Sequence, residues 1–382
     1  MQPYHSVFVY GFALFAMFFG SGNLVFPLQI GYTTGAYWLL GFVGLLVTGI
    51  LLPFLGLFVI KLHRGSYRSF FGEAGSVAQV LLPLFTLSLL GAFGVVPRCI
   101  TVAHGGMSYL MPELPLSVFS ILFCIPTFFF CLKDQRMLNI LGKWMSPILL
   151  AVLIILVMTG ILQAPTLMAT QALQPQAALY DGFLTGYQTM DLFAAFFFSA
   201  LIFTQIQQAM PPEATHRDTL TFAVKSSLLG AGLLALIYLG FVFLGAHYAP
   251  SLRNVAPEFM LPAIAKQVMG QSATFFIAIA MVFSCLTTAV ALNNIYARYL
   301  ASLFKIKEAQ FWVVLLMTTV VSFFISLLNF KGIAAFLAPA LEISYPGIIF
   351  LTLLGIATRK GHLVKMIGFY GVSLYMVSML FL

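Results

Sequence analysis

The chain has 382 residues, of which 61% are hydrophobic and only 7% are charged. About a quarter of the residues in a soluble globular domain are charged, so this composition excludes an ordinary soluble enzyme and indicates a membrane protein with many spans. The formal net charge of +8 predicts no nucleic-acid partner, because the basic residues are spread over short loops between apolar segments.

Long apolar segments recur along the chain and predict about eleven membrane-spanning helices. A helix needs about 20 residues to cross a bilayer, and these runs lack the short alternating pattern of barrel strands. No positively charged segment precedes the first run, so it is expected to be retained as a span. The predicted spans are 6–30, 37–61, 77–103, 115–132, 138–162, 183–208, 222–247, 271–301, 310–328, 333–356 and 363–382.

The lysines and arginines of the loops predict the orientation of the chain. With a cytoplasmic N-terminus, the outer loops hold only Arg253, Lys266 and Lys331. Cytoplasmic loops are enriched in both residue types, so the N-terminus is predicted to be cytoplasmic. The inner loops and helix ends then hold Lys61, Arg64, Arg68, Lys133, Arg136, Lys143, Arg217, Lys225, Arg298, Lys305, Lys307, Arg359, Lys360 and Lys365.

The first span has the sequence FFGSGNLVFP at residues 18–27. Glycine costs about 1 kcal/mol in a helix interior, and Ser21 and Asn23 can compete with the backbone for hydrogen bonds. Unwound backbone is tolerated within a membrane only where it is buried in protein or lines a cavity. The pattern predicts a discontinuous helix whose break binds a cation and a carboxylate. A glycine-rich packing notch is the alternative. The predicted break is Gly20, Ser21, Gly22 and Asn23.

The sixth span contains Asp191 several residues inside an apolar run. An ionisable residue inside a membrane span is rare and is a functional candidate by default. The alternative is a span that starts later, with Asp191 as an interfacial helix cap.

Two discontinuous spans, the first and the sixth, divide the chain into two sets of five. Five is odd, so the second set enters the membrane from the opposite side, as in the inverted repeats of many secondary transporters. We predict one transporter domain over 1–382, with repeats at 6–162 and 183–356 and an extra peripheral helix at 363–382.

The eighth span contains Ser284, Thr287 and Thr288 on one helical face. Their oxygens could bind an alkali cation, which prefers oxygen ligands. The alternative is that these hydroxyls bond back to carbonyls of their own helix.

The four cysteines have no paired spacing and no companion histidines of a metal site, so we interpret them as small buried hydrophobic residues. They are Cys99, Cys124, Cys131 and Cys285.

Several short motifs together resemble the branched-chain amino acid:cation symporters of bacteria, a family within the leucine-transporter-fold superfamily. The motifs occur in order from span one to span ten and cover nearly the whole chain. They are FGSGNLVFP at 19–27, Pro97-Arg98, Gly186-Tyr187 with Met190-Asp191, CLTTA at 285–289, and Tyr345-Pro346.

The resemblance implies an all-α, 5+5 inverted-repeat bundle with discontinuous helices one and six. It implies a sodium-coupled importer of branched-chain amino acids in the bacterial cytoplasmic (inner) membrane, with no cofactor and acting as a monomer. Residues 20–23 would meet the substrate carboxylate, and the segment facing its amino group and side chain would be Phe197, Phe198 and Ser199.

The resemblance also implies a sodium site between spans one and eight. Its ligands would be the carbonyls of Ala16, Phe19 and Ser284 and the hydroxyls of Thr287 and Thr288. The family usually has twelve spans and tends toward Phe-Gly where this chain reads Phe-Phe-Ser in span six, and Glu342 matches no family motif.

Three charged residues lie at similar predicted depth in the outer half of the bundle: Arg98, Asp191 and Glu342. Pairing relieves the cost of such charges, so we predict that they form a charge cluster serving as an extracellular gate, or else a static lock between helices.

Two other functions stay open: proton-coupled transport by the same fold, and an intramembrane enzyme using Asp191, Glu342 and a histidine. A channel would show rings of repeated polar residues, which the sequence lacks.

Overall fold

A computed structural model describes residues 3–132, 136–167, 174–209, 216–358 and 361–381. Within these ranges the chain is almost entirely helical, with no strand. The α-helices are α1 Pro3–Phe18, α2 Ser21–Thr34, α3 Trp38–Leu46, α4 Leu52–Leu62, α5 Tyr67–Phe71, α6 Ala78–Leu90, α7 Val95–Met107, α8 Leu116–Leu132, α9 Arg136–Leu162, α10 Pro175–Thr189, α11 Asp191–Ala209, α12 His216–His247, α13 Pro257–Leu303, α14 Phe311–Ser326, α15 Asn329–Ala357 and α16 His362–Phe381.

Every predicted span coincides with a helix or with a pair of helices in this structure. By length and composition, six helical stretches of the described residues could cross a membrane. The number of eleven spans stays a prediction. The six stretches are Ser21–Leu62, Ala78–Met107, Thr221–His247, Thr274–Leu303, Glu308–Ser326 and Asn329–Ala357.

The first span is broken, as predicted, but over a shorter segment. The backbone leaves the helix at Phe19 and Gly20, and Gly20 is extended with φ −118° and ψ −161°. Ser21, Gly22 and Asn23 instead form the first turn of α2, so the predicted four-residue break is wrong in extent. The Gly20 amide donates to Asn23 Oδ1 at 3.0 Å, and this bond caps α2 because a free amide of the first turn gains an acceptor.

The sixth span is broken at Met190, between α10 and α11. Met190 is fully buried and left-handed, with φ 57° and ψ 18°, a conformation that costs a non-glycine residue roughly 1–2 kcal/mol. No break occurs at the Phe-Phe-Ser of residues 197–199, where the resemblance implies the break of helix six, because α11 runs through them without interruption. Asp191 is the first residue of α11, so it lies at the break itself.

The third span has a break that the sequence analysis did not predict. Residues 91–94 separate α6 from α7, and a Cβ atom at Gly94 would lie 2.1 Å from the Leu89 carbonyl oxygen. Only glycine fits this close turn. The break sets the start of α7, which carries Arg98 into the centre of the protein.

Glycine contacts hold two pairs of helices at backbone distance. A Cβ atom at Gly31 of α2 would lie 1.9 Å from the Val242 carbonyl oxygen of α12, and one at Gly182 of α10 would lie 2.0 Å from the Gly41 carbonyl oxygen of α3. Close approach at small residues is typical of membrane helices. The first contact joins spans one and seven, and the second joins spans six and two. In a 5+5 repeat span one corresponds to span six and span two to span seven, so the two contacts are equivalent.

The four cysteines are unpaired, and Cys99, Cys131 and Cys285 are buried. The interpretation as small buried side chains is confirmed for these three, whereas Cys124 is only half-buried.

Candidate functional site

The two helix breaks are joined by the side chain of Asn23. Its amide nitrogen donates to Asp191 Oδ2 at 2.8 Å and to the hydroxyl oxygen of Tyr238. The Tyr238 hydroxyl in turn donates to Asp191 Oδ2 at 3.4 Å. Asn23, Asp191 and Tyr238 are all buried, so this network links spans one, six and seven inside the protein.

Arg98 is also buried, with 1% of its surface exposed. Its two terminal nitrogens donate to the backbone oxygen of Gln188 at 2.5 Å and to Gln188 Oε1 at 2.6 Å. The rings of Phe26 and Phe330 lie 5.2 and 5.7 Å from the guanidinium carbon, within the range of cation–π attraction. Arg98 is therefore held against the end of α10.

The predicted charge cluster does not form in this structure. Arg98 makes no salt bridge with Asp191 or Glu342 among the described residues. The physical reason is that Gln188 offers two oxygens at the end of α10, where last-turn carbonyls are free, and they match the guanidinium fork. Asn23 and Tyr238 hold the Asp191 carboxylate instead. The prediction that these three charges pair is wrong.

A cavity of about 20 Å³ lies between the broken helices. It has room for about one water molecule. All four residues of the predicted substrate segment 20–23 line it, together with both buried charges. Its polar and glycine lining is Gly20, Ser21, Gly22, Asn23, Arg98, Thr189, Asp191 and Thr288, and its apolar lining is Met17, Phe18, Leu90, Val95, Met190, Ala194, Phe198 and Leu292.

Of the three span-six residues predicted to face the substrate, only Phe198 lines this cavity. The Phe197 ring packs on Tyr67 with centroids 5.0 Å apart. The Ser199 hydroxyl donates to the Leu57 carbonyl at 2.9 Å. Phe197 and Ser199 point away from this cavity, because successive residues of an intact helix point about 100° apart; their contact with substrate stays a prediction.

A second cavity of about 80 Å³ lies between spans one, five and eight. Its lining includes four of the five predicted sodium ligands, Ala16, Phe19, Ser284 and Thr287. The Ser284 hydroxyl donates to the Phe19 carbonyl at 3.1 Å, and the Thr287 hydroxyl donates to the Ser284 carbonyl at 3.0 Å. The Ser284 hydroxyl thus reaches across to span one, whereas the Thr287 hydroxyl bonds back to the Phe283 and Ser284 carbonyls of its own helix, as the alternative predicted.

Thr288, the fifth predicted ligand, lines the smaller cavity instead. Its methyl carbon would lie 3.1 Å from a Cβ atom at Gly20, and its hydroxyl oxygen 3.4 Å. Thr287 and Thr288 therefore face different cavities on either side of the break.

The donors of the second cavity are neutral hydroxyl and carbonyl oxygens, which suit a hard cation. No cluster of three or more His, Cys, Asp or Glu residues able to hold a metal occurs among the residues that the structure describes.

Sequence reasoning missed three residues of this site. Gln188 stands in the polar stretch just before Asp191, a signal that could have identified it. Tyr238 lies in an ordinary apolar span, and Met190 carries no glycine or proline signal for a break.

The comparisons with known proteins agree with this architecture. A family model described as "Branched-chain amino acid transport protein" matches residues 4–381. The branched-chain amino acid permease BrnQ of Corynebacterium glutamicum is 26% identical, over 99% of this chain and 87% of the permease. The permease BraB of Bacillus subtilis is 27% identical, over 90% of this chain and 78% of its own length.

Solved transporter structures share the fold. A manganese transporter of Eremococcus coleocola superposes with a TM-score of 0.64 at 11% identity, over 100% of this chain and 86% of that one. Mhp1, a nucleobase-cation-symport-1 family transporter, superposes with 0.62 at 14% identity, over 98% and 91%. MhsT, solved with L-phenylalanine, superposes with 0.58 at 16% identity, over 97% of both chains.

These structures confirm the predicted fold class, an all-α membrane protein of the leucine-transporter type, while the 5+5 repeat stays a prediction. The family and its relatives are transporters, so the interpretation as an intramembrane enzyme is not retained. Because the family model matches nearly its whole length, the chain belongs to the branched-chain amino acid transport protein family.

Proposed function

We propose that this protein is a sodium-coupled symporter that imports leucine, isoleucine and valine by alternating access. The observation that carries the proposal is the meeting of two helix breaks at one cavity. Half-helix ends at such breaks offer free amides and carbonyls to the charged ends of an amino acid. The apolar wall of Leu90, Val95, Phe198 and Leu292 suits a branched aliphatic side chain.

The size of the cavity supports alternating access. A volume of about 20 Å³ admits a water molecule but no amino acid, so substrate entry requires the surrounding helices to separate. Domain-scale opening of this kind takes place on a microsecond to millisecond timescale.

Sodium is proposed as the co-transported ion because neutral hydroxyl and carbonyl oxygens of spans one and eight line the second cavity beside the first break. Phe19 belongs to the unwound segment, and its carbonyl meets the Ser284 hydroxyl of span eight. A cation bound there would draw span one against span eight and would thereby organise the adjacent amides of α2 for substrate.

A proton is the second candidate for the coupling ion. It is favoured by Asp191, a buried carboxyl group at the substrate cavity that forms no salt bridge among the described residues. A carboxyl group in such a position can take up and release a proton during transport.

Uptake of radiolabelled leucine into proteoliposomes tests both versions. We expect uptake driven by an inward sodium gradient without a proton gradient, with competition by unlabelled isoleucine and valine. Protein-free liposomes are the control. Uptake driven only by a proton gradient would show that the proton, not sodium, is the coupling ion. Uptake driven by neither gradient would overturn the symport mechanism.

We also propose that the protein acts as a monomer in the bacterial cytoplasmic membrane with its N-terminus inside. An impermeant maleimide should label Arg253→Cys in intact cells but label Lys305→Cys only after permeabilisation; the reverse pattern would contradict this orientation. Light scattering of the purified protein should give a monomer mass after correction for detergent, whereas a dimer mass would contradict the monomer.

A further inference from the structure

Two buried side chains of opposite charge line the same cavity without touching each other. Arg98 is 1% exposed and Asp191 is 5% exposed, and both line the space between the helix breaks. No salt bridge joins them to each other or to a third charged residue within the described part of the chain. Each charge therefore lies inside the protein without an ionic partner.

A neutral amide holds each of these charges. Gln188 accepts two hydrogen bonds from the Arg98 guanidinium, and Asn23 donates one to the Asp191 carboxylate, which also accepts a longer one from the Tyr238 hydroxyl. The Nε atom of Arg98 is buried and has no hydrogen-bond partner among the described residues. The guanidinium thus keeps an unused donor inside the protein.

A charge at membrane depth is costly unless it is paired. A hydrogen bond with one ionised partner is stronger than a neutral one, and a partner of opposite charge adds Coulomb attraction, which is strong in a protein interior. Arg98 and Asp191 would each gain by exchanging a neutral amide for a charged ligand group. A ligand that satisfies both must carry a negative and a positive group close together.

An amino acid is such a ligand, because its carboxylate and its ammonium are attached to one carbon. We propose that Arg98 and Asp191 form a two-charge receptor for the substrate, in which Arg98 binds the carboxylate and Asp191 binds the ammonium. In this structure Gln188 bonds Arg98 and Asn23 bonds Asp191, in the places that the substrate carboxylate and ammonium would take. This inference rests on the proposed function and adds charged side chains to the backbone amides as substrate ligands.

The positions of the helix ends agree with this assignment. The first-turn amides of α2 line the same cavity as Arg98, and helix N-termini attract anions. The ammonium would lie beside Asp191, next to the end of α10, where the Gln188 carbonyl becomes available to it once Arg98 binds the carboxylate instead. The guanidinium is held in place by the rings of Phe26 and Phe330, so it is positioned before the ligand arrives.

Ligand analogues that lack one charge test the receptor directly. Displacement of radiolabelled leucine from purified protein is measured with leucine, with leucinol, which lacks the carboxylate, and with 4-methylpentanoate, which lacks the amine. The wild-type protein should prefer leucine to either analogue by about tenfold or more, as expected when a charge-assisted hydrogen bond is lost.

Each variant should remove one preference and keep the other. Arg98→Gln should bind leucine no better than leucinol while still preferring leucine to 4-methylpentanoate. Asp191→Asn should show the opposite pattern. The control variants are Arg298→Gln, whose guanidinium bonds Asn294, and Glu258→Gln, a buried acid of α13 outside the cavity lining; both should keep the wild-type ranking.

The outcomes separate this inference from the proposed function. If the wild-type protein binds none of the three branched-chain amino acids, the proposed function fails. The receptor alone fails if the wild-type protein binds leucine but Arg98→Gln or Asp191→Asn keeps both preferences for leucine over the two analogues. It also fails if either variant loses both preferences equally. If the neutral variants do not fold, Arg98→Lys and Asp191→Glu replace them. Each should weaken leucine binding and keep both preferences, and loss of both preferences in either would overturn the receptor.

Discussion

Asn23 and Asp191 are 168 positions apart in the chain, and the amide of Asn23 donates a 2.8 Å hydrogen bond to the carboxylate of Asp191. Asn23 lies in the first turn of α2 and Asp191 opens α11, so the N-terminal ends of two half-helices meet at this bond. Helix N-termini carry partial positive charge. The carboxylate of Asp191 offsets that charge and allows the two ends to approach.

The glycines of the first break should be required for substrate binding. A methyl group at Gly20 would lie 3.1 Å from the Thr288 methyl carbon, and one at Gly22 would lie 3.3 Å from the Phe26 ring. These contacts are tight but not overlapping, so the protein should still fold. We expect Gly20→Ala and Gly22→Ala to weaken leucine binding by about tenfold, because the added methyl groups occupy ligand space and favour a continuous helix.

Equilibrium binding of radiolabelled leucine measures this effect. Gly232→Ala is the matched control, since a Cβ atom there meets nothing within 4 Å. Wild-type affinity in the double variant Gly20→Ala/Gly22→Ala would contradict a substrate site at this break.

The neighbouring threonines of span eight should have different roles. Thr287 lines the cavity with Phe19 and Ser284, whereas Thr288 lines the smaller cavity between the two helix breaks. Thr287→Ala should raise the sodium concentration needed for half-maximal leucine uptake by about tenfold, the effect of losing one oxygen ligand worth about 1.4 kcal/mol. Thr288→Ala should mainly raise the leucine concentration required.

Uptake into proteoliposomes over a sodium series and a leucine series checks this prediction. The conservative variant Thr287→Ser, which keeps the hydroxyl, should restore the sodium response. An unchanged sodium dependence in Thr287→Ala would remove this residue from the ion site.

The glycine contact between spans one and seven should be essential for stability. A Cβ atom at Gly245 would lie 2.0 Å from the Leu28 carbonyl oxygen, and backbone cannot move aside as a flexible side chain can. We expect Gly245→Ala to lower the free energy of unfolding by roughly 1–3 kcal/mol, the cost of overpacking. The unfolding temperature in detergent measures the loss, and Gly232→Ala should leave it unchanged. An unfolding temperature equal to that of the wild type would show that the helices can separate at little cost.

A buried ion pair should anchor α16 to the connection between α5 and α6. Lys365 Nζ lies 2.7 Å from Glu73 Oε1, and the two side chains are 2% and 16% exposed. Glu73→Gln leaves the ammonium unpaired, so we expect a loss of up to roughly 3–5 kcal/mol of stability. Lys365→Met should cost less, because the Glu73 carboxylate that it leaves behind is more exposed than Lys365 and lies 3.5 Å from His63 Nε2.

Thermal unfolding of both single variants and of the double variant tests the pair. The double variant should be more stable than Glu73→Gln alone. If the losses of the two single variants simply add, the two residues are not energetically coupled.

Much of this protein follows from local sequence patterns. The length and apolarity of successive runs predicted the membrane class and the positions of the helices, because a bilayer imposes its thickness on each span separately. Residues 20–23 predicted a break in span one for the same local reason, since glycine and asparagine weaken a helix wherever they occur. The order of the short motifs predicted the family.

The partners of the charged side chains depended on how distant helices pack. The predicted depth of Arg98 in the membrane placed it level with Asp191 of span six. Arg98 bonds Gln188 rather than Asp191 because the break at Met190 exposes the end of α10. No residue type near Met190 predicts that break, because the left-handed conformation of Met190 is maintained by the surrounding structure and not by its own sequence. The separation of Thr287 from Thr288 arose likewise, since the neighbours of span eight determine which cavity each hydroxyl faces.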